Sequence, residues 1–303
     1  MPLSPEIQSF ILQFGNNWNT TINAACENFF EAQHSSLPEV PIPTINVEKG
    51  IKYGEDERHR LDIYWPDGIA GEGAPLLPVV TFFHGGAFVA GDTDITPHMH
   101  ANIAHYLAAN GMVGVLGTYR LLPEARFPDG AEDISAALDW IHTHVKKYGG
   151  DKDKTFAIGH SAGGSHLAMA MFLNQVRQLP KGVLLWSAAM WYDLTQERRR
   201  ANMEMYYGTK DWKDIQARSA LGLFQGGNST VVDDVDMFVV VAERDFEECL
   251  RGNLEFLKAF VSKRERLPRF EVLMRHNHIS PVLAIGLPGD GVGPRVVQWV
   301  RES

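Results

Sequence analysis

Short apolar runs alternate with stretches of helical apolar spacing along most of this chain. The run at residues 78–83 is continuously apolar, which is typical of a strand buried in the centre of a sheet. Predicted strands lie at 44–53, 59–65, 78–83, 112–119, 155–158, 182–187, 237–242 and 270–275. Predicted helices lie at 98–110, 129–148, 165–177, 247–263 and 293–301. This alternation predicts an α/β fold with a mostly parallel sheet of eight strands, helices on both faces and a leading antiparallel pair.

Two helical stretches precede the sheet. Residues 4–6, Ser-Pro-Glu, form a typical helix start, and a second helical stretch covers 20–34 before a proline-broken linker at 38–43. We interpret residues 1–40 as an N-terminal helical cap segment. Its apolar faces can pack on the core or close the mouth of a site, and the sequence leaves both possibilities open.

A long insertion rich in charged and aromatic residues separates the strands at 182–187 and 237–242. We interpret residues 190–232 as a cap or lid, because insertions at the carboxyl ends of strands lie where α/β sheets bind ligands. Trp191 and Tyr192 of this insertion, together with Phe88, are the predicted substrate pocket. The arginine run at 198–200 favours a solvated helix face over an anion site.

Composition narrows the class of protein. Residues 1–303 fit a single α/β domain, and a net charge of −9 gives no indication of nucleic-acid binding. Cys26 and Cys249 are too few for a disulfide scaffold. No apolar run reaches the roughly 20 residues of a membrane span, and no basic residue precedes Lys49, so we expect a cytoplasmic protein. Two glycosylation sequons are then coincidental; they lie at 19–21 and 228–230.

The sequence Gly159-His160-Ser161-Ala162-Gly163 carries the most specific chemical signal. It lies between a predicted strand and a predicted helix, which is the context of a nucleophile elbow. Such a tight turn holds the serine in a strained conformation and exposes its hydroxyl beside a helix N-terminus, while small neighbours relieve the crowding. The alternative is an ordinary glycine-rich turn. We predict that Ser161 is a nucleophile.

A second glycine motif, His84-Gly85-Gly86, ends the strand at 78–83. Successive glycines at a strand end allow the backbone to approach a ligand closely, although a plain turn is the alternative. The N–H groups of Gly85, Gly86 and Ala162 are the predicted oxyanion hole.

An elbow serine needs an acid and then a base later in the chain. Asp245 follows the strand at 237–242, and Glu243 and Glu247 are its rivals. His278 follows the last strand, with His276 as its rival. We predict that the triad uses Asp245 and His278, with the imidazole accepting the serine proton. The alternatives are that the acidic residue only caps a helix at the surface and that the histidine lies in a loop without a catalytic role.

No metal or organic cofactor is expected. His98-x-His100 and His142-x-His144 have the spacing of metal pairs, but both pairs fall in predicted helices, where residues i and i+2 point apart.

Taken together, these motifs resemble the α/β-hydrolase superfamily and, within it, the hormone-sensitive-lipase-like carboxylesterases. The matching pieces are HGGAF at 84–88, YRLLPEARFP at 119–128 with Asp133 after it, GHSAGG at 159–164, ERD at 243–245 and HNHIS at 276–280. The resemblance implies the same triad and the same oxyanion donors. Ala87 departs from it, because many members carry a third glycine there. The NHIS ending is also similar to kynurenine formamidases.

The leading hypothesis is a serine carboxylesterase that acts on small, uncharged esters. An arylformamidase or related amidase, a lactone hydrolase and a biosynthetic acyltransferase use the same motifs and remain open. A hydrolase fold recruited as a non-catalytic ligand receptor belongs to another class, and such proteins usually lose a triad residue. The expected partner is a small-molecule ester rather than nucleic acid or membrane, and the sequence assigns no oligomeric state.

Overall fold

The computed structural model describes residues 3–37, 44–68, 75–227 and 231–303. The predicted linker at 38–43 and the sequon at 228–230 lie outside the described residues. One sheet of eight strands runs in the order β1-β2-β4-β3-β5-β6-β7-β8, antiparallel at β1–β2 and β2–β4 and parallel across the rest. The strands are β1 Ile45–Lys52, β2 Arg60–Pro66, β3 Leu77–Phe83, β4 Val113–Gly117, β5 Gly150–His160, β6 Gly182–Trp186, β7 Asp236–Arg244 and β8 Arg269–Asn277. The predicted fold class is confirmed.

Helices cover both faces of the sheet, as predicted. The helices are α1 Pro5–Leu12, α2 Thr20–Ser35, α3 Ala101–Ala109, α4 Asp129–His144, α5 Ala162–Phe172, α6 Glu197–Tyr207, α7 Trp212–Arg218, α8 Ala220–Gly226, α9 Glu247–Arg264, α10 Ser280–Ala284 and α11 Val292–Glu302. Side chains of β3 alternate between two cores, as strand geometry requires. Val79 and Phe83 pack with α4, α5 and α9, whereas Val80 and Phe82 pack with α3 and α11.

Several predicted boundaries differ from the structure by a few residues, and two of these differences have clear local reasons. β5 begins at Gly150, five residues before the predicted strand, because its first half is charged and exposed and therefore lacks the apolar pattern. α5 begins at Ala162 rather than at residue 165, because its first turn consists of small residues that include two glycines, which are poor helix formers.

The N-terminal segment forms a third apolar cluster. Ile7 and Ile11 of α1 and Phe30 of α2 pack against Ile279 and Leu283, at and just before α10. The segment therefore lies over the chain that follows β8, beside the edge of the sheet where parallel strands end. Its assignment as a separate cap segment remains a prediction.

The insertion packs on the main core. Tyr206, Tyr207 and Phe224 from α6 and α8 belong to the same buried cluster as α4, α5 and α9. Arg198 is exposed, but Arg199 lies against Glu248 with a nitrogen–oxygen distance of 2.6 Å, and its side chain is only 14% exposed. The prediction of a solvated arginine face is therefore wrong at Arg199, because the helix turns that residue toward α9.

The structure also corrects one histidine pair. His98 and His100 precede α3 rather than lying within it. His98 Nδ1 contacts Glu31 Oε1 at 2.7 Å, whereas His100 Nδ1 is 2.7 Å from the Asp92 carbonyl oxygen. The two rings therefore bind different partners, even though they are not held apart by helical geometry.

Candidate active site

Ser161 occupies the turn between β5 and α5. Its backbone angles are φ 52° and ψ −115°, a conformation that residues other than glycine rarely adopt. Its N–H donates to the Trp186 carbonyl oxygen at 3.0 Å, which ties the turn to β6. A Cβ atom at Gly163 would lie 2.4 Å from the carbonyl oxygens of both Phe83 and His84. Glycine is therefore required there, because α5 begins directly against the end of β3.

The three predicted triad side chains lie in one hydrogen-bonded line. His278 Nε2 is 3.0 Å from Ser161 Oγ, and His278 Nδ1 is 2.6 Å from Asp245 Oδ1. Asp245 is fully buried and His278 is 3% exposed, whereas Ser161 is partly exposed. A hydroxyl that a substrate can reach is thus linked through an imidazole to a carboxylate shielded from water.

The rival residues have other partners. His276 Nδ1 lies 3.0 Å from Ser280 Oγ, and burial lowers the pKa of His276 to about 4. Glu243 accepts a hydrogen bond from the Arg275 backbone N–H. Glu247 is exposed in the first turn of α9. None of these groups enters the line formed by Ser161, His278 and Asp245.

The loop after β3 lies against Ser161. A Cβ atom at Gly85 would be 3.1 Å from Ser161 Cβ, and one at Gly86 would be 1.8 Å from the Ala90 carbonyl oxygen. Gly86 has φ 133°, and the next residue, Ala87, has φ 53°. Ala87 therefore adopts the left-handed backbone conformation that a third glycine would favour at this position.

The N–H groups that are predicted to form an oxyanion hole belong to this loop and to the start of α5. Ala162 is the first residue of α5, and the first N–H groups of a helix have no carbonyl partner within it. The partial positive charge at the helix N-terminus also favours a negative charge placed beside these N–H groups. Gly85 packs against Ser161 and Ala162 follows it directly, so the oxyanion hole predicted from Gly85, Gly86 and Ala162 remains a prediction that this packing is consistent with.

Two buried histidines support these loops. His84 Nδ1 is 2.6 Å from the Gly85 carbonyl oxygen, and Tyr119 Oη donates to the His84 carbonyl oxygen at 2.6 Å. His160 Nε2 is 2.9 Å from the His278 carbonyl oxygen. Burial lowers the pKa of His84 to about 3 and that of His160 well below its ordinary value, so both rings stay neutral. They hold backbone groups in place rather than exchange protons.

The predicted substrate pocket is wrong for two of its three residues. Phe88 is 1% exposed and Tyr192 is fully buried, so neither presents surface to a substrate. Tyr192 Oη instead contacts Ser165 Oγ at 3.2 Å and Tyr207 Oη at 3.1 Å. The insertion folds these rings into the core against α5. Trp191 is partly exposed, with the Arg251 guanidinium 4.3 Å above its ring.

Two aromatic residues that no sequence motif singled out flank His278. The Trp18 ring meets the His278 ring edge-on at 5.1 Å, and the Phe246 ring does so at 4.8 Å. Both are partly exposed. Phe246 could have been suspected because it follows Asp245 directly. Trp18 gave no such signal, because it reaches the base only through the packing of the N-terminal helices on α10.

Within the described residues, one group has the composition of a metal site. Atoms of Asp245, Cys249 and His278 lie within 4.8 Å of one another. Burial, followed by the charge of Asp245, raises the pKa of the Cys249 thiol well above its ordinary range, and the thiol donates to the Ser187 carbonyl oxygen. A protonated thiol is a poor ligand and the imidazole already contacts the carboxylate, so this donor set suits proton transfer better than a metal.

Comparison with known proteins agrees with this architecture. A family model described as the alpha/beta hydrolase fold matches residues 80–249. Carboxylesterase NlhH of Mycobacterium tuberculosis is 34% identical over 164 residues, which cover 54% of this chain and 48% of that protein. The probable isoprenylcysteine alpha-carbonyl methylesterase ICMEL1 of Oryza sativa is 32% identical over 145 residues, covering 47% of this chain and 32% of that protein. The chain thus matches less than half the length of these curated relatives.

Solved structures share the fold over nearly the whole chain. Inhibited esterase B from Lactobacillus rhamnosis superposes with a TM-score of 0.74 and 17% identity, over 93% of this chain and 94% of that one. The hyperthermophilic esterase from Pyrobaculum calidifontis gives a TM-score of 0.65 and 21% identity, over 100% and 99% of the two chains. No helix in the described ranges has the length and apolar character needed to cross a bilayer.

Proposed function

Because this chain belongs to the alpha/beta hydrolase fold family, we propose that it is a serine hydrolase that cleaves small carboxylic esters through an acyl-enzyme intermediate. The observation that carries the proposal is the contact of His278 with Ser161 at 3.0 Å and with Asp245 at 2.6 Å. A serine hydroxyl is a weak nucleophile at neutral pH unless a base accepts its proton, and this imidazole lies within reach of it.

Acylation follows from this geometry. As Ser161 Oγ attacks the ester carbonyl carbon, its proton passes to His278 Nε2. Asp245 accepts the Nδ1–H hydrogen bond, which fixes the tautomer and stabilises the imidazolium. The imidazolium then gives its proton to the departing alcohol, and the serine is left acylated.

The negative charge of the tetrahedral intermediate falls on the former carbonyl oxygen. The N–H groups of Gly85, Gly86 and Ala162 are the donors for it, and each is worth on the order of 3 kcal/mol of transition-state stabilisation. They are fixed before the reaction by the tight packing of the loop and of α5 against Ser161. A water molecule that the same histidine deprotonates completes the cycle by releasing the acid.

Ester hydrolysis is favoured over the alternatives for separate reasons. The curated relatives quoted above are named as esterases. A non-catalytic receptor would not need a complete triad, yet here all three side chains are in contact. Amide hydrolysis, lactone opening and acyl transfer use the same residues, so the acceptor and the leaving group must be decided by assay.

We further propose that the protein works in the cytoplasm on a small-molecule substrate. Cys26 and Cys249 are both free thiols buried in the fold, which fits a reducing compartment. The substrate surface is proposed to include Trp18 and Phe246 rather than the buried Phe88 and Tyr192. The departing alcohol must lie beside His278 Nε2, and these two partly exposed aromatic rings both contact the His278 ring.

The experiment combines covalent labelling with turnover. We expect a fluorophosphonate probe to modify Ser161 in the native protein, with the adduct located by peptide mass spectrometry. Ser161→Ala should abolish labelling and lower p-nitrophenyl acetate turnover by several orders of magnitude while leaving the fold intact. Ser135→Ala is a matched control, because Ser135 is a buried serine on α4 whose hydroxyl donates to the Gln175 carbonyl. An unlabelled Ser161 in folded protein would contradict the proposal.

The substrate class is tested by direct comparison. Turnover of p-nitrophenyl acetate should exceed that of N-formylkynurenine, and added alcohols should not divert the acyl group. Faster turnover of the formamide would favour the amidase alternative, and ester products from a competing alcohol would reveal acyl transfer.

A further inference from the structure

Ser187 follows β6 directly and contacts the triad acid from the side opposite the imidazole. It is fully buried, and its Oγ donates to Asp245 Oδ2 at 2.7 Å. The Ala242 N–H donates to the same oxygen at 2.8 Å. Oδ1 is left to His278 at 2.6 Å. The two carboxylate oxygens thus have separate partners, with two donors on one oxygen and the catalytic imidazole on the other.

The backbone of Ser187 is held in an unfavourable conformation. Its φ is 45°, in the left-handed region that favours glycine. Its N–H donates to the Val240 carbonyl oxygen at 2.7 Å, and its own carbonyl accepts from the Cys249 thiol at 3.2 Å. The next carbonyl, that of Ala188, accepts from Asn253 Nδ2 at 2.8 Å. Contacts with β7 and α9 therefore hold Ser187 in a backbone conformation that glycine would adopt with less strain.

We propose that Ser187 is a positioning residue of the triad, whose hydroxyl fixes the rotation of the Asp245 carboxylate so that Oδ1 faces His278 Nδ1. This inference rests on the proposed hydrolase function. A buried carboxylate with one donor fewer can rotate about its terminal bond, and its negative charge is less compensated. Both effects act on the imidazole rather than on the substrate, so Ser187 acts through Asp245 and does not contact the reacting atoms.

Two substitutions separate positioning from folding. Ser187→Gly and Ser187→Ala both remove the hydroxyl, but only the alanine keeps the backbone strain of a positive φ. We therefore expect the glycine variant to unfold at a higher temperature than the alanine variant. We also expect the two variants to lose the same factor in kcat/KM, about ten-fold, which is the lower range for a hydrogen bond to a charged group because the Ala242 N–H remains.

The pH dependence of kcat/KM distinguishes positioning of the triad from a purely structural role, which would leave that dependence unchanged. With the hydroxyl gone, the carboxylate faces His278 Nδ1 in a smaller fraction of molecules, which lowers kcat/KM, but in that fraction its less compensated charge holds the imidazolium more strongly. The acid limb of kcat/KM should therefore move to higher pH in both variants, by about half a pH unit. The other titratable groups facing His278 are Asp245, His160 and Cys249. Burial keeps His160 neutral and the Cys249 thiol protonated across the pH range of the assay, from 5.5 to 8.

The measurements are p-nitrophenyl acetate kinetics and the rate of fluorophosphonate labelling, each with Ser135→Ala as the control that should match wild type. Equal losses in the glycine and alanine variants, with the shifted acid limb, support the inference. Wild-type kcat/KM in Ser187→Gly, or an activity loss confined to the less stable alanine variant, would overturn it. If wild-type protein reacts with neither probe nor ester, it is the proposed function that fails, not the inference about Ser187.

Discussion

Mild acid is expected to unfold this protein, because five histidines are buried in the neutral form. His84, His100, His160 and His166 are each 3% exposed or less, and His276 is 7% exposed. Burial lowers the pKa of His84 and His166 to about 3 and that of His100 and His276 to about 4, and it lowers the pKa of His160 well below the ordinary value. In the unfolded chain the same side chains bind protons near pH 6.5.

The sign and size of the effect follow from proton linkage. A histidine whose pKa is depressed by folding contributes stability that is present above pH 6.5 and is lost as the pH falls toward the folded value. At pH 5 each of the four histidines with a folded pKa of about 3 or 4 lowers the free energy of unfolding by ~2 kcal/mol, so that together they remove ~8 kcal/mol, and His160 adds to this loss. Because a typical domain has a stability of ~5–15 kcal/mol, we expect the transition near pH 5.

Urea unfolding followed by circular dichroism at half-unit steps between pH 5 and 7.5 measures this directly. The slope of the unfolding free energy against pH gives the number of protons that unfolding takes up. Replacing one buried ring, in His166→Gln, should reduce the slope by about one proton, or ~1.4 kcal/mol per pH unit. His144→Gln, at an exposed position in the last turn of α4, should leave the slope unchanged. A wild-type slope below about two protons between pH 5 and 6.5, or a fold intact at pH 4, would refute the reasoning.

The remaining predictions concern two matched pairs of residues. His278→Ala should lower kcat/KM for p-nitrophenyl acetate by ~10⁴-fold or more. His276→Ala should stay within a few-fold of wild type. Loss of activity in His276→Ala alone would reassign the base to His276. Arg199→Ala should lower the free energy of unfolding by ~3 kcal/mol, because the Glu248 carboxylate, only 9% exposed, loses its cationic partner and keeps only the hydrogen bond from the Asp193 N–H. Arg200→Ala, whose side chain is 35% exposed, should stay within ~0.5 kcal/mol in urea titrations, and equal effects of the two arginine variants would contradict the ion-pair argument.

The sequence by itself determined the features that depend on local chemistry. The order of strands and helices follows from apolar runs and helical spacing. The elbow at Ser161 follows from small residues that a sharp strand-to-helix turn requires. The positions of Asp245 and His278 follow from the strand ends that they succeed, because parallel strands bring their carboxyl ends to one edge of the sheet. Such signals lie within a few residues of each other and need no knowledge of packing.

Only the tertiary structure decided which side chains meet across long separations. An aromatic residue in a cap can face a pocket or fill the core, and Tyr192 fills the core because the insertion folds onto α5. Trp18 reaches His278 because the N-terminal helices pack on α10. Ser187 meets Asp245 because β6 and β7 are neighbours in the sheet. Burial and contact depend on which faces cover one another, and that is a property of the whole packed chain rather than of any segment.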